Sequence, residues 1–275
     1  MKEKCIVMFS GGLDSRLALK IMQEQGFDVI AVFFKLPFIK NVEEEIKKFV
    51  KNKVRLKIFD CTKGNLLKDY LKIIKNPKYK RGAGINPCID CRIFILKKAK
   101  EFAREKEIKI VVTGEVLGQR PMSQTTRAME IIDREIGFEL TRPLIELGIS
   151  GRNRKKQIEL AKKYKINYPT PAGGCLLCEK ALKKRFEILL QKNLINGKTL
   201  PLINLGRHFF IGICWFVIGR NEKENKVIEK FRNCVKSEKG KPAVYYSKKI
   251  CRKFAENLQE DYKTGGGKKY SCQKI

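Results

Sequence analysis

Ser10-Gly11-Gly12-Leu13-Asp14-Ser15 lies between an apolar run and a helical pattern near the start of the chain. Two glycines let a backbone approach a phosphate closely, and a helix N-terminus offers free N–H groups at the positive end of its dipole. Ser10 and Ser15 add hydroxyl donors, and Asp14 is placed to orient the loop or to hold Mg²⁺ beside the phosphates. No lysine stands where a Walker loop needs one, which excludes kinase-type phosphate binding. The plainer account is a Gly-rich turn with Asp14 capping its helix, and the strand directly before and the helix directly after argue against it.

A second chemistry rests on cysteine pairs. Asn86-Pro87-Cys88-Ile89-Asp90-Cys91 and Gly173-Gly174-Cys175-Leu176-Leu177-Cys178 are both C-x-x-C segments. Together they suit a closed tetrahedral zinc site, an iron–sulfur cluster, or a pair of redox thiols in which Cys88 or Cys175 carries a persulfide. Simple burial of inert thiols is the fourth account. The separation exceeds that of a zinc ribbon, but both pairs fall in loops that an α/β fold can bring together. Cys5 and Cys61 occupy strand positions and are expected in the core, while Cys214, Cys234, Cys251 and Cys272 have no ligand spacing and are read as incidental. No apolar stretch approaches the roughly 18 residues of a membrane span. A cytoplasmic protein is expected, in which ten cysteines point to metal or catalytic thiols ahead of disulfides.

The elements that must position these groups alternate. Apolar runs at 5–9, 29–34, 54–59 and 108–113 have the length and β-branched content of buried parallel strands. Helical patterns cover 14–25, 42–51, 66–74, 93–105 and 152–164. Such alternation predicts a doubly wound parallel α/β sheet over residues 1–179. Pro169, Pro171, Gly173 and Gly174 then interrupt the pattern. Residues 180–275 are expected to form a smaller basic α+β domain, with helices at 180–191 and 222–235, short strands flanking GRHFFIG, and a flexible GGGKK tail over 263–275.

Charge narrows the class of partner. The chain has 275 residues, 60 of them Lys or Arg and 29 Asp or Glu, for a net charge of +31. Hydrophobic residues at 43% exclude a disordered chain. A Lys-rich proteome raises Lys and Glu together; here acid does not keep pace, so a polyanion is the expected partner. Residues 180–275 hold 23 basic and 8 acidic residues, +15 over 96 positions, which makes them the denser cation. Within them Arg207, His208 and Arg220, interleaved with Phe209, Phe210 and Trp215, read as a base-stacking RNA surface, although many of those aromatics belong in a core.

The SGGLDS loop resembles that of the PP-loop pyrophosphatases, which cleave ATP between its α and β phosphates and transfer AMP to a carbonyl or carboxylate. With Val112-Thr113-Gly114-Glu115-Val116-Leu117-Gly118-Gln119, Ser123-Gln124-Thr125 and Arg142-Pro143-Leu144-Ile145 in family order, residues 1–180 resemble the ATPase domain of tRNA 4-thiouridine synthetases. The resemblance implies a PP-loop (HUP-like) fold and ATP bound by Ser10–Ser15, Gly114, Gln119 and Arg120. It implies adenylation of a uridine carbonyl and replacement of its oxygen by sulfur, with Asp14, Cys88 and Cys175 catalytic. Cluster-dependent members use one C-x-x-C and one distant cysteine, which maps a [4Fe-4S] cluster onto Cys88, Cys91 and Cys175, leaves Cys178 as the extra, and makes zinc the second choice. Expected partners are tRNA and a sulfur donor (sulfide or a persulfide-carrying protein), with a homodimer allowed. Typical members carry an RNA-binding region ahead of the loop, whereas the loop here begins at Ser10; the segment after Lys180 is expected to replace that grip. Its GRHFFIG and IGRNEKEN stretches resemble a small module of ribosome quality-control proteins. The alternatives are a 2-thiouridine or 2-thiocytidine tRNA synthetase of the same fold, and a non-enzymatic RNA-binding protein with ATP as a structural ligand.

Overall fold

The computed structural model describes residues 2–51, 54–80, 82–170, 174–263 and 273–274. Pro171, Gly173, Cys272 and most of the expected flexible tail lie outside the described residues. The chain divides into two compact units, Met1–Lys183 and Lys184–Ile275.

The first unit is built on four parallel strands. They are β1 (Lys4–Met8), β2 (Asp28–Lys35), β3 (Arg55–Asp60) and β4 (Ile110–Thr113), in the order β3-β2-β1-β4. β1 is central, and Cys5, Ile6 and Val7 are fully buried because helices cover both faces. Removing one such side chain from water stabilises by about 1.5–3 kcal/mol, so this strand fixes the frame. α1 (Leu13–Glu24), α2 (Glu43–Val50) and α3 (Gly64–Lys75) follow the first three strands. α4 (Cys88–Glu105) then carries the chain back to β4, on the other side of β1. The order therefore reverses between β1 and β4, and the crevice beyond their carboxyl ends is where open α/β sheets bind ligands.

α5 (Thr126–Ile136), α6 (Pro143–Glu146) and α7 (Lys155–Lys163) complete the unit. α5 has no counterpart among the predicted helices, yet its signals are local. The Thr125 hydroxyl accepts from the Ala128 N–H, Ala128, Met129, Ile132 and Ile136 are buried along one face, and Gly137 ends the helix at φ 65°.

The second unit holds all but the first residue of α8 (Lys183–Gln191). Its sheet runs β7-β8-β6-β5-β9, from β5 (Arg207–Ile211), β6 (Cys214–Ile218), β7 (Cys234–Val235), β8 (Val244–Tyr246) and β9 (Gln273–Lys274), with α9 (Glu222–Ile228) and α10 (Arg252–Asp261). All its pairings are antiparallel. The helix expected over 222–235 stops at Ile228, and Cys234–Val235 pairs with β8 instead. Two cysteines read as incidental are not: Cys214 and Cys251 form a disulfide that ties the start of β6 to the turn before α10. Among the described residues, no helix is long and apolar enough to cross a membrane.

The RNA surface expected on β5 and β6 needs correction. His208 is fully buried; Trp215 Nε1 donates to its Nδ1 (3.1 Å) and its Nε2 faces the carbonyls of Leu205 (2.8 Å) and Leu202 (3.2 Å). Burial drives its pKa down to about 3, so it is a neutral core group and faces no RNA. Trp215, Phe209 and Phe210 are buried with it. Arg220 is bound to its own helix N-terminus, with Nη2 2.5 Å from Oε1 of Glu224, which also accepts the N–H groups of Arg220 and Gly206. Arg207 lies over the Tyr262 ring at 5.5 Å.

Candidate functional site

The loop between β1 and α1 closes on itself. Gly11 sits at φ +78°, and a Cβ there would come within 2.9 Å of Ile46, so glycine is required twice over. Ser15 Oγ donates to the Gly12 carbonyl (2.9 Å), and Ser10 Oγ lies 3.3 Å from Ser15 Oγ. Leu13 is a core residue that anchors α1. Arg16 locks the loop from below: its Nε donates to the Gly11 carbonyl at 2.7 Å, its Nη1 to that of Asn167, and its guanidinium covers Phe49.

β4 delivers the second wall. A Cβ on Gly114 would lie 2.6 Å from the Asp14 carbonyl, so only glycine lets this strand end meet the start of α1. Gln119 Nε2 donates to Asp14 Oδ2 at 2.8 Å. Gln157 on α7, fully buried, donates in turn to Gln119 Oε1 at 3.2 Å. Burial raises the Asp14 pKa, opposed by Gln119, Arg154 and Arg120. Asp14 Oδ1 is buried with no hydrogen-bond partner, as are Oε1 of Gln124 and of Gln157. Unpaired buried acceptors are costly, and Asp14 Oδ1 and Gln124 Oε1, both on residues of the cavity wall, are open to a donating ligand or a cation.

Glu115, which the motif contains but whose role the sequence does not disclose, is buried between two arginines. Arg92 Nε lies 2.8 Å from Oε1 and Arg142 Nε 3.0 Å from Oε2. Burial pushes this carboxyl up, but Arg92 and Arg142 outweigh it and hold it below the usual range. The expected Arg-Pro-Leu-Ile motif is thus a clamp on the β4 loop, with Arg142 also paired to Asp133.

The two C-x-x-C segments meet. Cys88 and Cys91 occupy the first turn of α4; Cys175 directly precedes a short 3₁₀ turn over Leu176–Cys178, and Cys178 ends it. The Asn86 N–H donates to the Leu177 carbonyl (3.0 Å), and a Cβ on Gly84 would lie 2.7 Å from that same oxygen. Leu176 N–H bonds the Phe38 carbonyl at 3.0 Å, fixing the other side. Cys88 Sγ lies 3.6 Å from Cys178 Sγ, and Tyr70 Oη 3.5 Å from Cys91 Sγ. The Cys175 and Cys88 thiols both hydrogen-bond to Cys178 and, with Arg120, hold it down to about 3, whereas Cys88 and Cys175 are pushed well above the usual thiol range. Cys178, the extra cysteine of the resemblance, thus sits within hydrogen-bonding reach of Cys88, in the same cluster of thiols.

All four sulfurs line one cavity of about 330 Å³ with Ser10, Gly12, Asp14, Ser15, Gly114, Glu115 and Arg120. The donor type suits a soft metal or cluster. Among the described residues, no three Cys, His, Asp or Glu side chains form a ready metal shell.

Residues 1–180 match the model of the ThiI family, described as thiamine biosynthesis protein (ThiI). The chain belongs to the ThiI family. A probable tRNA sulfurtransferase of Thermococcus kodakarensis is 27% identical over 166 residues, 58% of this chain and 40% of that relative. The tRNA-specific 2-thiouridylase MnmA of Persephonella marina is 26% identical over 268 residues, covering 81% of this chain and 74% of the relative. The chain thus spans well under half of the sulfurtransferase but most of the thiouridylase. A 4-thiouridine synthetase–RNA complex with bound ATP superposes with a TM-score of 0.48 and 21% identity, over 73% of this chain and 52% of that one.

Proposed function

We propose that the chain is an ATP-dependent tRNA sulfurtransferase that adenylates a uridine carbonyl and replaces its oxygen with sulfur, 4-thiouridine being the favoured product. The observation behind this is the single cavity that joins a phosphate loop to four cysteine sulfurs. ATP lies with its phosphates against Ser10–Ser15, whose N–H groups and the α1 dipole neutralise charge as pyrophosphate departs. Asp14, with Oδ1 unpaired, would hold the Mg²⁺ that accompanies ATP, which supplies further charge neutralisation on the phosphates. The uridine oxygen attacks the α-phosphorus; sulfur then attacks the activated carbon, and AMP leaves. An amide oxygen is a poor leaving group, and adenylation makes it a good one.

The four thiols are of the kind that hold a [4Fe-4S] cluster, with Cys88, Cys91 and Cys175 as its ligands; when bound, it would supply an open iron for incoming sulfur. The chain's own contribution is Arg120, beside Asp14 and Cys178, whose positive charge favours the ionised form of Cys178. Sulfide attacks directly; from a persulfide-carrying protein the terminal sulfur attacks and a second thiol then breaks the S–S bond, leaving a disulfide. tRNA is the acceptor, and the cytoplasm the place of action.

Pyrophosphate release and nucleoside mass spectrometry, on anaerobically purified protein with tRNA and ATP, test the reading. Asp14→Ala is expected to lose roughly 10²–10³-fold in tRNA-dependent pyrophosphate release with unchanged thermal unfolding; an unchanged rate removes the loop from the reaction. A 2-thiouridine product is the second reading, supported by the length over which the thiouridylase aligns, and the modified nucleoside separates the two.

A further inference from the structure

Among the described residues, the large apolar side chains left most exposed are Ile250 (77%) and Ile213 (65%), and each directly precedes one cysteine of the Cys214–Cys251 bridge. Local structure demands neither. Ile213 is the second residue of the two-residue turn between β5 and β6, a position that turn chemistry gives to Gly, Asn or Asp. Along α10 and the 3₁₀ turn before it, Cys251, Ala255 and Leu258 pack inward. Ile250 and Phe254 each stand one position ahead of that stripe, about 100° around the axis, and Phe254 is 41% exposed.

The bridge gathers them. Its two Cα atoms are 5.8 Å apart, so those of Ile213 and Ile250 are no more than about 14 Å apart. Phe254 follows Ile250 by one helical turn. Lys248, Lys249 and Lys253 stand exposed on the same 3₁₀ turn and the start of α10. Among the described residues none of the three forms an ion pair, whereas Arg252 beside them is spent on Glu256. Three apolar side chains and three unpaired cations thus share one end of the second unit.

We propose that this patch is where the second unit grips tRNA, with phosphates on Lys248, Lys249 and Lys253 and one unpaired base packed on Phe254 and the two isoleucines. The inference rests on the proposed tRNA reaction. Phosphates complement clustered lysines, and an unstacked base offers its flat face to an exposed ring and aliphatic carbons. A protein partner fits less well. Lysine is depleted from such interfaces, and three apolar side chains fall short of the roughly 800 Å² per partner that a stable one buries. A second copy of the chain, at +31, would set like charge against like. The hairpin expected to meet RNA through Arg207 and His208 meets it instead at its tip, through Ile213.

The experiment is a filter-binding salt titration of the full-length protein with tRNA, comparing wild type, Lys248→Gln/Lys249→Gln/Lys253→Gln and Phe254→Ala. The glutamine triple is expected to weaken binding at least about tenfold and to lower the magnitude of the log Kd–log salt slope by about 2–2.7, three phosphate contacts at roughly 0.7–0.9 each. The arginine triple at the same positions should keep the slope. Phe254→Ala should weaken binding about tenfold at unchanged slope, and Phe254→Trp should restore it. ATP affinity and melting midpoint report folding; if the glutamine triple melts early, its three single variants are read in its place, each losing roughly 0.7–0.9 of slope. A folded triple that binds tRNA with wild-type affinity and slope overturns the patch and leaves the reaction standing. Wild-type affinity in Phe254→Ala overturns the base contact. If both variants bind tRNA normally but no longer take sulfur from an acidic carrier protein, the patch is a protein dock and the RNA assignment fails. Wild-type protein that binds no tRNA overturns both this inference and the reaction it rests on.

Discussion

The cysteines of the two units have met opposite fates. In the first unit Cys88, Cys91, Cys175 and Cys178 are free thiols at a cavity wall, with Cys88 Sγ 3.6 Å from Cys178 Sγ. In the second, Cys214 and Cys251 are buried and consumed in a bridge within a hydrophobic cluster. Cys5 and Cys61 show a third outcome, since burial in the first unit's core raises both to about 12 and leaves them unreactive. Residue type does not decide among these outcomes; neighbours do. A thiol beside other thiols and an arginine becomes an acid, one among apolar side chains stays protonated, and two with adjacent Cα atoms become a staple.

The sharpest way to break this contrast is at Cys178. The resemblance leaves it out of the reacting set, whereas the structure places its sulfur 3.6 Å from that of Cys88 in the same cavity. Cys178→Ala is expected to lose roughly a hundredfold in tRNA thiolation, the scale of removing one positioned reactive group. Pyrophosphate release should stay near wild type, because the phosphate loop is untouched. Retained thiolation would return Cys178 to the role of spectator and leave the three-cysteine set of the resemblance.

The bridge supplies the converse test. Cys214→Ser/Cys251→Ser opens a loop of 37 residues, and is expected to cost the second unit about 2–4 kcal/mol. Urea unfolding should show a lower midpoint for that unit while ATP binding by the first is unchanged. Loss of ATP binding in the double variant would show that the bridge serves the site.

Much of this was legible in advance, and the omissions have causes. Four strands were read to within two residues because a parallel sheet buries both faces and leaves unbroken Val/Ile runs, as at Cys5–Val7 and Val29–Val32. α4 begins earlier than its apolar pattern, at Cys88, because its first turn directs Cys88 and Cys91 toward the cavity and offers the core only Ile89. α5 was missed although its caps and apolar face are local, since Ser123-Gln124-Thr125 drew attention as a motif rather than as an N-cap. Glu115 and Gln157 have partners 23 to 38 residues away, on other elements, and no spacing rule reaches that far. His208 misled because a basic–aromatic alternation looks the same on a β-hairpin whether its aromatic face meets RNA or a core.

His208 also separates the units by pH. Its folded pKa, lowered from 6.5 to about 3 by burial, means that the unfolded chain takes up a proton first as pH falls. The stability that the neutral ring contributes is complete above about 6.5 and is lost as pH descends toward about 3. The second unit's unfolding midpoint should therefore fall across that window, and His208→Gln should flatten the fall at the cost of a lower midpoint throughout. An equal pH slope in wild type and variant would mean that another group carries the dependence.

The smallest expected effect tests whether the buried amides at the loop act as a chain. Gln157 does not itself line the cavity; it donates to Gln119 Oε1, which leaves the Gln119 NH₂ facing the Asp14 carboxylate. An amide has a donor end and an acceptor end, and its orientation is set by whichever neighbour is fixed. Without Gln157, Gln119 is free to turn its oxygen toward Asp14, where two acceptors repel. Gln157→Leu keeps the volume and removes the donor, so a loss of about 1 kcal/mol, near fivefold in pyrophosphate release, is expected. Because Gln157 acts only through Gln119, the pair Gln119→Ala/Gln157→Leu should be no slower than Gln119→Ala alone. If the two losses instead multiply, Gln157 serves α7 packing and the chain of amides does not transmit to Asp14.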